Sequence, residues 1–239
     1  MKNNKILLVT GASSDLGSKL IRDTYKNYDK IWAHYNSSAD IVNGLKEELG
    51  NIICPIQADF SSSDSTLRMI EEIKKSGEFP NHIVHFSAPK AKNLQFRKTT
   101  WDNYQYEMDT SLRSITMILQ VFLQGMAKEN YGRIVFMLSA YTMGMPPKYQ
   151  SIYVTTKYAL LGLMKSLSVE YADKGITVNA VSPEMIDTKF LSDLPDLIVE
   201  QNAQNRPSGC NLKVEDVVPT IINLLKDDNT VTGENIPIL

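Results

Sequence analysis

Only two cysteines occur in the 239 residues, Cys54 and Cys210, with no CxxC spacing and no histidine cluster beside them. That argues against a disulfide-stapled scaffold and against a metal centre, and it fits a reducing compartment. A block of one charge sign is also missing, since 25 Lys+Arg face 27 Asp+Glu. Nucleic-acid binders carry a basic stripe, so no nucleic-acid partner is expected. Long hydrophobic runs are absent too. The opening MKNNKILLVTGASS has too short an apolar stretch for a secretory leader. Nothing approaches the roughly 20 apolar residues of a membrane span. No membrane partner and a cytoplasmic location are therefore expected. A chain of this length buries enough surface to fold without staples, as one domain over 1–239.

What is present is a regular alternation. Strand candidates are KILLVT (5–10), KIWAHY (30–35), NIICPIQ (51–57), HIVHFS (82–87), RIVFMLS (133–139), ITVNAVS (176–182) and TVTGENIPI (230–238). They are rich in Ile and Val and nearly continuous, as strands covered on both faces should be. Between them the apolar residues recur at helical spacing. Ile115, Ile118, Leu119, Phe122, Leu123 and Met126 form one such stripe, and Val214, Val217, Val218, Ile221, Ile222 and Leu225 another. Alternating strands and helices imply right-handed crossovers and an α/β, doubly wound (Rossmann) parallel sheet of seven strands. Residues 184–212 break the pattern with weak periodicity, two prolines and many polar residues. An insertion after a strand's carboxyl end, where ligands bind in open sheets, reads as a substrate lid.

The first strand runs into TGASSDLG, where a helix is expected to begin near Leu16. Gly11 and Gly17 permit a tight turn, and the backbone N–H groups of Ser13, Ser14, Asp15, Leu16 and Gly17 face an anion. Asp15 is the oddity. A carboxylate ~4 Å from one phosphate charge, at an effective dielectric of ~20, costs about 4 kcal/mol. The expectation is that Asp15 turns away and caps the helix by binding N–H groups of its first turn. Asn36, with Ser37 and Ser38, ends the second strand, where a ribose-recognising residue belongs. An acid there would select NAD(H); these uncharged donors lean toward NADP(H).

Ser139 closes the fifth strand candidate, and fourteen residues later Tyr153 and Lys157 stand at i, i+4. On a helix they share a face. An ammonium beside a phenol is expected to lower the phenol's pKa from ~10. Such a tyrosine gives a proton to a carbonyl oxygen or takes one from an alcohol, while Ser139 hydrogen-bonds the same oxygen.

TGASSDLG, HFSAP, Ser139, YVTTK and NAVSPEMIDT, spaced as they are, resemble the short-chain dehydrogenase/reductase family, in particular its 3-oxoacyl-carrier-protein reductase-like members. The likeness runs from Lys5 to Ile238. It implies NAD(P)(H)-dependent hydride transfer between nicotinamide and a carbonyl/alcohol pair, with Tyr153 as acid/base, Lys157 tuning it and holding the nicotinamide ribose, and Ser139 orienting the substrate. By the same likeness Asp59 and Phe60 lie at the adenine, Ser87 and Ala88 at its ribose, and Ile186 and Thr188 at the carboxamide. Ser111 stands where the family places a proton-relay asparagine. The resemblance also implies a homo-oligomer, tetramer or dimer, through helices near 112–128 and 153–172. Met143, Met145, Met185 and Leu191 are candidates to border a partly apolar substrate pocket. The chain departs from the pattern at Asp15, Phe86, Pro89, Ser111 and Glu184. Those departures motivate an alternative, a reductase-derived scaffold or cofactor-sensing subunit with little turnover.

Overall fold

The computed structural model describes residues 4–90 and 92–239. Seven strands, β1 (Ile6–Thr10), β2 (Lys30–Tyr35), β3 (Ile53–Gln57), β4 (His82–His85), β5 (Gly132–Met137), β6 (Ile176–Pro183) and β7 (Asn235–Ile238), form one sheet. Every pair is parallel, in the order β3-β2-β1-β4-β5-β6-β7. The expected doubly wound fold is therefore observed. The central strands β1, β5 and β6 are buried along their whole length, which is why they read as unbroken apolar runs. Prolines occur only where one edge is free, Pro55 in β3 and Pro237 in β7, and at the last residue of β6, Pro183. The last strand is shorter than its sequence pattern, because Gly233 turns the chain at φ +78° two residues before β7 begins.

Helices α1 (Asp15–Thr24), α2 (Ala39–Leu49), α3 (Ser63–Ser76), α4 (Trp101–Met108), α5 (Ser114–Glu129), α6 (Ser151–Glu170), α7 (Asp196–Asn205) and α8 (Val214–Leu224) cover the two faces. Alternation along β1 divides the core. Leu8 packs with the layer formed by α3, α5 and α6, whereas Leu7 and Val9 pack with α1, α2 and α8. All six residues of the stripe from Ile115 to Met126 are buried on α5. Strand order reverses between β1 and β4, so their carboxyl ends diverge and leave a crevice.

At the opposite end of the sheet Arg133 is 6% exposed and binds two distant chain segments. Its guanidinium donates to the carbonyls of Lys226 (3.2 Å), Asp227 (2.8 Å) and Gly175 (3.2 Å). Charge-assisted bonds of this kind are among the strong ones, and their loss strands buried carbonyls. Arg133→Ala is expected to destabilise the fold by on the order of 3 kcal/mol, read as a lowered urea midpoint with unchanged slope. A midpoint equal to wild type would show that the anchor contributes nothing.

Candidate active site

The phosphate turn is built by two glycines and a serine. Gly11 adopts φ +72°, a region that L side chains rarely enter. A Cβ on Gly17 would lie 2.4 Å from the Gly11 carbonyl oxygen, so only glycine lets α1 approach β1 this closely. Ser14 is the N-cap: its Oγ accepts from Gly17 N at 3.0 Å and donates to Gly11 O at 2.7 Å. Asp15 is thus the first helical residue and not the cap. Its Oδ2 accepts from the backbone N–H of Lys189 at 2.9 Å, inside the 184–212 segment. This corrects the expectation that Asp15 would bond its own helix. Ser14 already satisfies the first-turn donor, and the adjacent side chain projects into the crevice.

The second-strand residues are less central than their sequence position implies. Ser38 lines the crevice with Ile41, while Asn36 and Ser37 lie outside it. The main-chain oxygen of Asn36 accepts from Gln57 Nε2 at 3.1 Å. Asp59 is engaged locally, its Oδ1 accepting from Ser61 N (2.9 Å) and Ser61 Oγ (2.7 Å). Phe60 is a core residue stacked on His34, with centroids 3.9 Å apart. Ser87 sits behind the turn, its N–H 3.5 Å from Thr10 Oγ1, whereas Ala88 reaches the crevice wall.

Ser139, Tyr153 and Lys157 come together on the far wall. Ser139 follows β5 and hydrogen-bonds the Tyr153 phenol. Lys157 is buried, donates from Nζ to Met137 O at 2.8 Å, and stands 5.3 Å from the Tyr153 ring centroid. Two further rings frame the tyrosine, Tyr141 at 6.3 Å and Phe190 at 6.2 Å. The expected lowering of the phenol is not found. Burial pushes Tyr153 above its ordinary value, the Ser139 hydrogen bond pulls it partly back, and Tyr141 and Glu107 push it up. Burial lowers Lys157 to about 8, with the Glu107 carboxylate opposing. Lys157 lies over the ring, where its charge does less for the phenolate than a position beside the hydroxyl would. Burial thus favours the protonated phenol of Tyr153.

The crevice between these walls encloses about 400 Å³. Ile186, Thr188, Met185 and Leu191 line it together with Phe190 and Leu194 of the same segment, joined by Tyr141, Gln150 and Glu184, which the sequence reading did not name. Met143 and Met145 lie outside it, 52% and 95% exposed, because the segment after Ser139 turns toward solvent. Segment 184–212 contains a short helical turn, Lys189–Leu191, and helix α7. It is tied at its base by Glu184–Arg206 (3.0 Å) and by Leu212 N to Met185 O (3.0 Å). Lys90 reaches it from the other rim, donating to Ser192 Oγ at 2.8 Å. Ser111 is fully buried next to this machinery, in a wide π-helical turn between α4 and α5.

A glycine turn at the carboxyl end of β1, facing a serine, tyrosine and lysine across a crevice, defines a dinucleotide-dependent oxidoreductase architecture. The chain belongs to the short-chain dehydrogenase/reductase family: the family model described as Enoyl-(Acyl carrier protein) reductase matches residues 11–238. It is thereby an NAD(P)-dependent oxidoreductase acting on a C=O/CH–OH pair. It is 29% identical over 240 residues to 3-oxoacyl-(acyl-carrier-protein) reductase FabG of Staphylococcus epidermidis, covering 98% of this chain and 96% of that protein. Acetoacetyl-CoA reductase of Shinella zoogloeoides is 26% identical over 235 residues, covering 98% and 96%. Among solved structures, "ElxO with NADP Bound" superimposes with a TM-score of 0.85 at 24% identity, covering 98% of this chain and 97% of that one.

The residues present fit a dinucleotide. Gly11 and Gly17 leave free the space that side chains would fill, and donors at the start of α1 face the crevice. Because Asp15 holds Lys189, the turn and segment 184–212 form one closed edge. In Asp15→Ala that N–H loses its acceptor. Hydrogen–deuterium exchange across 185–194 is expected to accelerate about tenfold, a factor worth ~1.4 kcal/mol, while β1 and β5 stay protected. Unchanged exchange would show that the segment does not depend on this bond.

Proposed function

We propose that this enzyme is an NADPH-dependent reductase of a 3-oxoacyl-type carbonyl. The observation that carries the reading is the convergence of Ser139, Tyr153 and Lys157 on the wall facing the phosphate turn. In this reading the turn from Gly11 to Gly17 holds the pyrophosphate and Lys157 the nicotinamide ribose. Ile186 and Thr188 lie at the carboxamide. When bound, NADPH supplies a hydride to the carbonyl carbon. Ser139 donates a hydrogen bond to the substrate oxygen and Tyr153 gives it a proton. The elevated phenol supports the reductive direction, because Tyr153 keeps its proton until an oxyanion develops.

The substrate class rests on the names of the relatives, 3-oxoacyl-(acyl-carrier-protein) reductase and acetoacetyl-CoA reductase. Tyr141, Met185, Phe190, Leu191 and Leu194 offer an apolar wall suited to an acyl chain. Preference for NADP(H) over NAD(H) is supported by Asn36, Ser37 and Ser38, which place no carboxylate at the end of β2. Segment 184–212 acts as the lid. No helix among the described residues is long and apolar enough to cross a membrane. That supports, together with the charge balance, a cytoplasmic enzyme with a small-molecule substrate. A homo-oligomer through α5 and α6 is supported by Met117, Val121, Leu161 and Leu163, which are only partly covered within one chain.

Titration with NADPH is expected to enhance nicotinamide fluorescence, more tightly than with NADH. Acetoacetyl-CoA should be reduced, and Tyr153→Phe should lower kcat by about 10²–10⁴ with NADPH affinity retained. Failure of both nucleotides to bind would overturn the proposal, as would a Tyr153→Phe variant that turns over like wild type.

A further inference from the structure

All three histidines of the chain are buried in the sheet, and the mechanism above uses none of them. His34 lies near the carboxyl end of β2, 3% exposed, on the face that also carries Trp32. Each of its ring nitrogens has a partner. Gly11 N donates to Nδ1 at 3.1 Å, and Nε2 stands 3.1 Å from Ala58 O. A main-chain N–H only donates and a carbonyl only accepts, so the proton sits on Nε2 and Nδ1 is the acceptor. Burial lowers His34 to about 4, against the raising effect of the Ala58 carbonyl, which keeps the ring neutral and Nδ1 free to accept.

The bond to Nδ1 falls on the peptide that opens the phosphate turn. On one side of that peptide Thr10 O accepts from Phe86 N at 3.1 Å, and on the other Gly11 N is held by His34. The next N–H, that of Ala12, donates to His34 O at 2.8 Å. One residue therefore fixes two successive N–H groups of the turn. Glycine populates either sign of φ about equally, so the φ of +72° at Gly11 has to be imposed by its partners. Through Ala58 the same ring reaches the end of β3, directly before Asp59 and Phe60, which the family resemblance sets at the adenine. His34 itself does not line the crevice.

We propose that His34 is a positioning residue for the dinucleotide: Nδ1 holds the Gly11 N–H and presets the turn that receives the pyrophosphate, and Nε2–H ties that turn to the adenine side. The inference rests on the reductase reading for the identity of the ligand. A turn already in its bound conformation is not ordered at the moment of binding, and affinity rises by the cost avoided. The effect is confined to the adenosine half of the nucleotide, away from Ser139, Tyr153 and Lys157.

Amide side chains separate the two nitrogens. In His34→Asn, Oδ1 takes the place of Nδ1 and accepts from Gly11 N, while Ala58 O loses its donor. In His34→Gln, the amide nitrogen takes the place of Nε2, and Gly11 N loses its acceptor. Each variant forfeits the ring stack on Phe60 and one hydrogen bond, so a merely structural role penalises both alike. His34→Gln should bind NADPH about tenfold more weakly than His34→Asn, the effect of one buried donor left unpaired. The kcat for acetoacetyl-CoA at saturating NADPH should stay at the wild-type value in both. Equal NADPH affinities in the two variants, or a loss of kcat in place of affinity, overturn the proposal and leave the reductase reading standing.

A second measurement needs no substitution. Nitrogen NMR of the labelled wild-type protein at neutral pH should show His34 Nδ1 without a proton and coupled through the hydrogen bond to the Gly11 amide nitrogen, before and after NADP⁺ is added. A proton on Nδ1, or a coupling that arises only with the nucleotide, overturns the proposal. If wild type binds neither NADPH nor NADH, the reductase reading fails, whereas the coupling in the free protein still reports whether His34 presets the turn.

Discussion

The bond from Lys157 Nζ to the carbonyl of Met137 ties helix α6 to the end of β5, and Ser139 and Tyr153 stand beside it on the crevice wall. It brings a buried ammonium to the carboxyl edge of the sheet, where the strand order reverses. Burial of that charge lowers its pKa, and the ammonium adds to the desolvation that lowers nearby His85. It also constrains Tyr153. The phenol is held among Ser139, Tyr141 and Phe190, so desolvation outweighs any help it receives from the lysine. Burial thereby favours the protonated form of the phenol.

Asp15 couples this centre to the surrounding loops. A carboxylate in the rim of a phosphate turn would be a liability if it were left free. Here it accepts from Lys189 N, and segment 184–212 is held by Asp15 and Lys90 from outside and by its own Glu184–Arg206 pair at the base. Of the departures from the family pattern, Asp15 ties the 184–212 segment to the turn, and Glu184 closes the segment on itself through Arg206. Neither bears on the Ser139–Tyr153–Lys157 constellation.

Much of the fold was legible because it rests on local regularities. Continuous Val/Ile runs marked the strands, and period-3.6 stripes marked α5 and α8. TGASSDLG and YVTTK carried their own geometry, one through glycine backbone freedom and the other through i, i+4 spacing. Residues with weak local signals were misplaced. Met143 and Met145 were drawn into the pocket by proximity to Ser139, yet the chain turns outward there. Asn36 and Ser37 were drawn in by position, whereas Ser38 takes the crevice wall. Glu107 was invisible, since nothing in WDNYQYEM distinguishes a buried acid from a solvated one.

By itself the sequence determined the layer architecture, the single parallel sheet and the candidate Ser139, Tyr153 and Lys157 set, because periodicity and turn chemistry act over a few residues. Tertiary structure alone decided the direction of the Asp15 carboxylate, the protonation of Tyr153 and the burial of Glu107. Each depends on segments far apart in the chain: Lys189 lies 174 residues from Asp15, and Lys157 lies 50 residues from Glu107. Desolvation and hydrogen-bond partners are properties of packed neighbours, and no local pattern encodes which neighbours those will be.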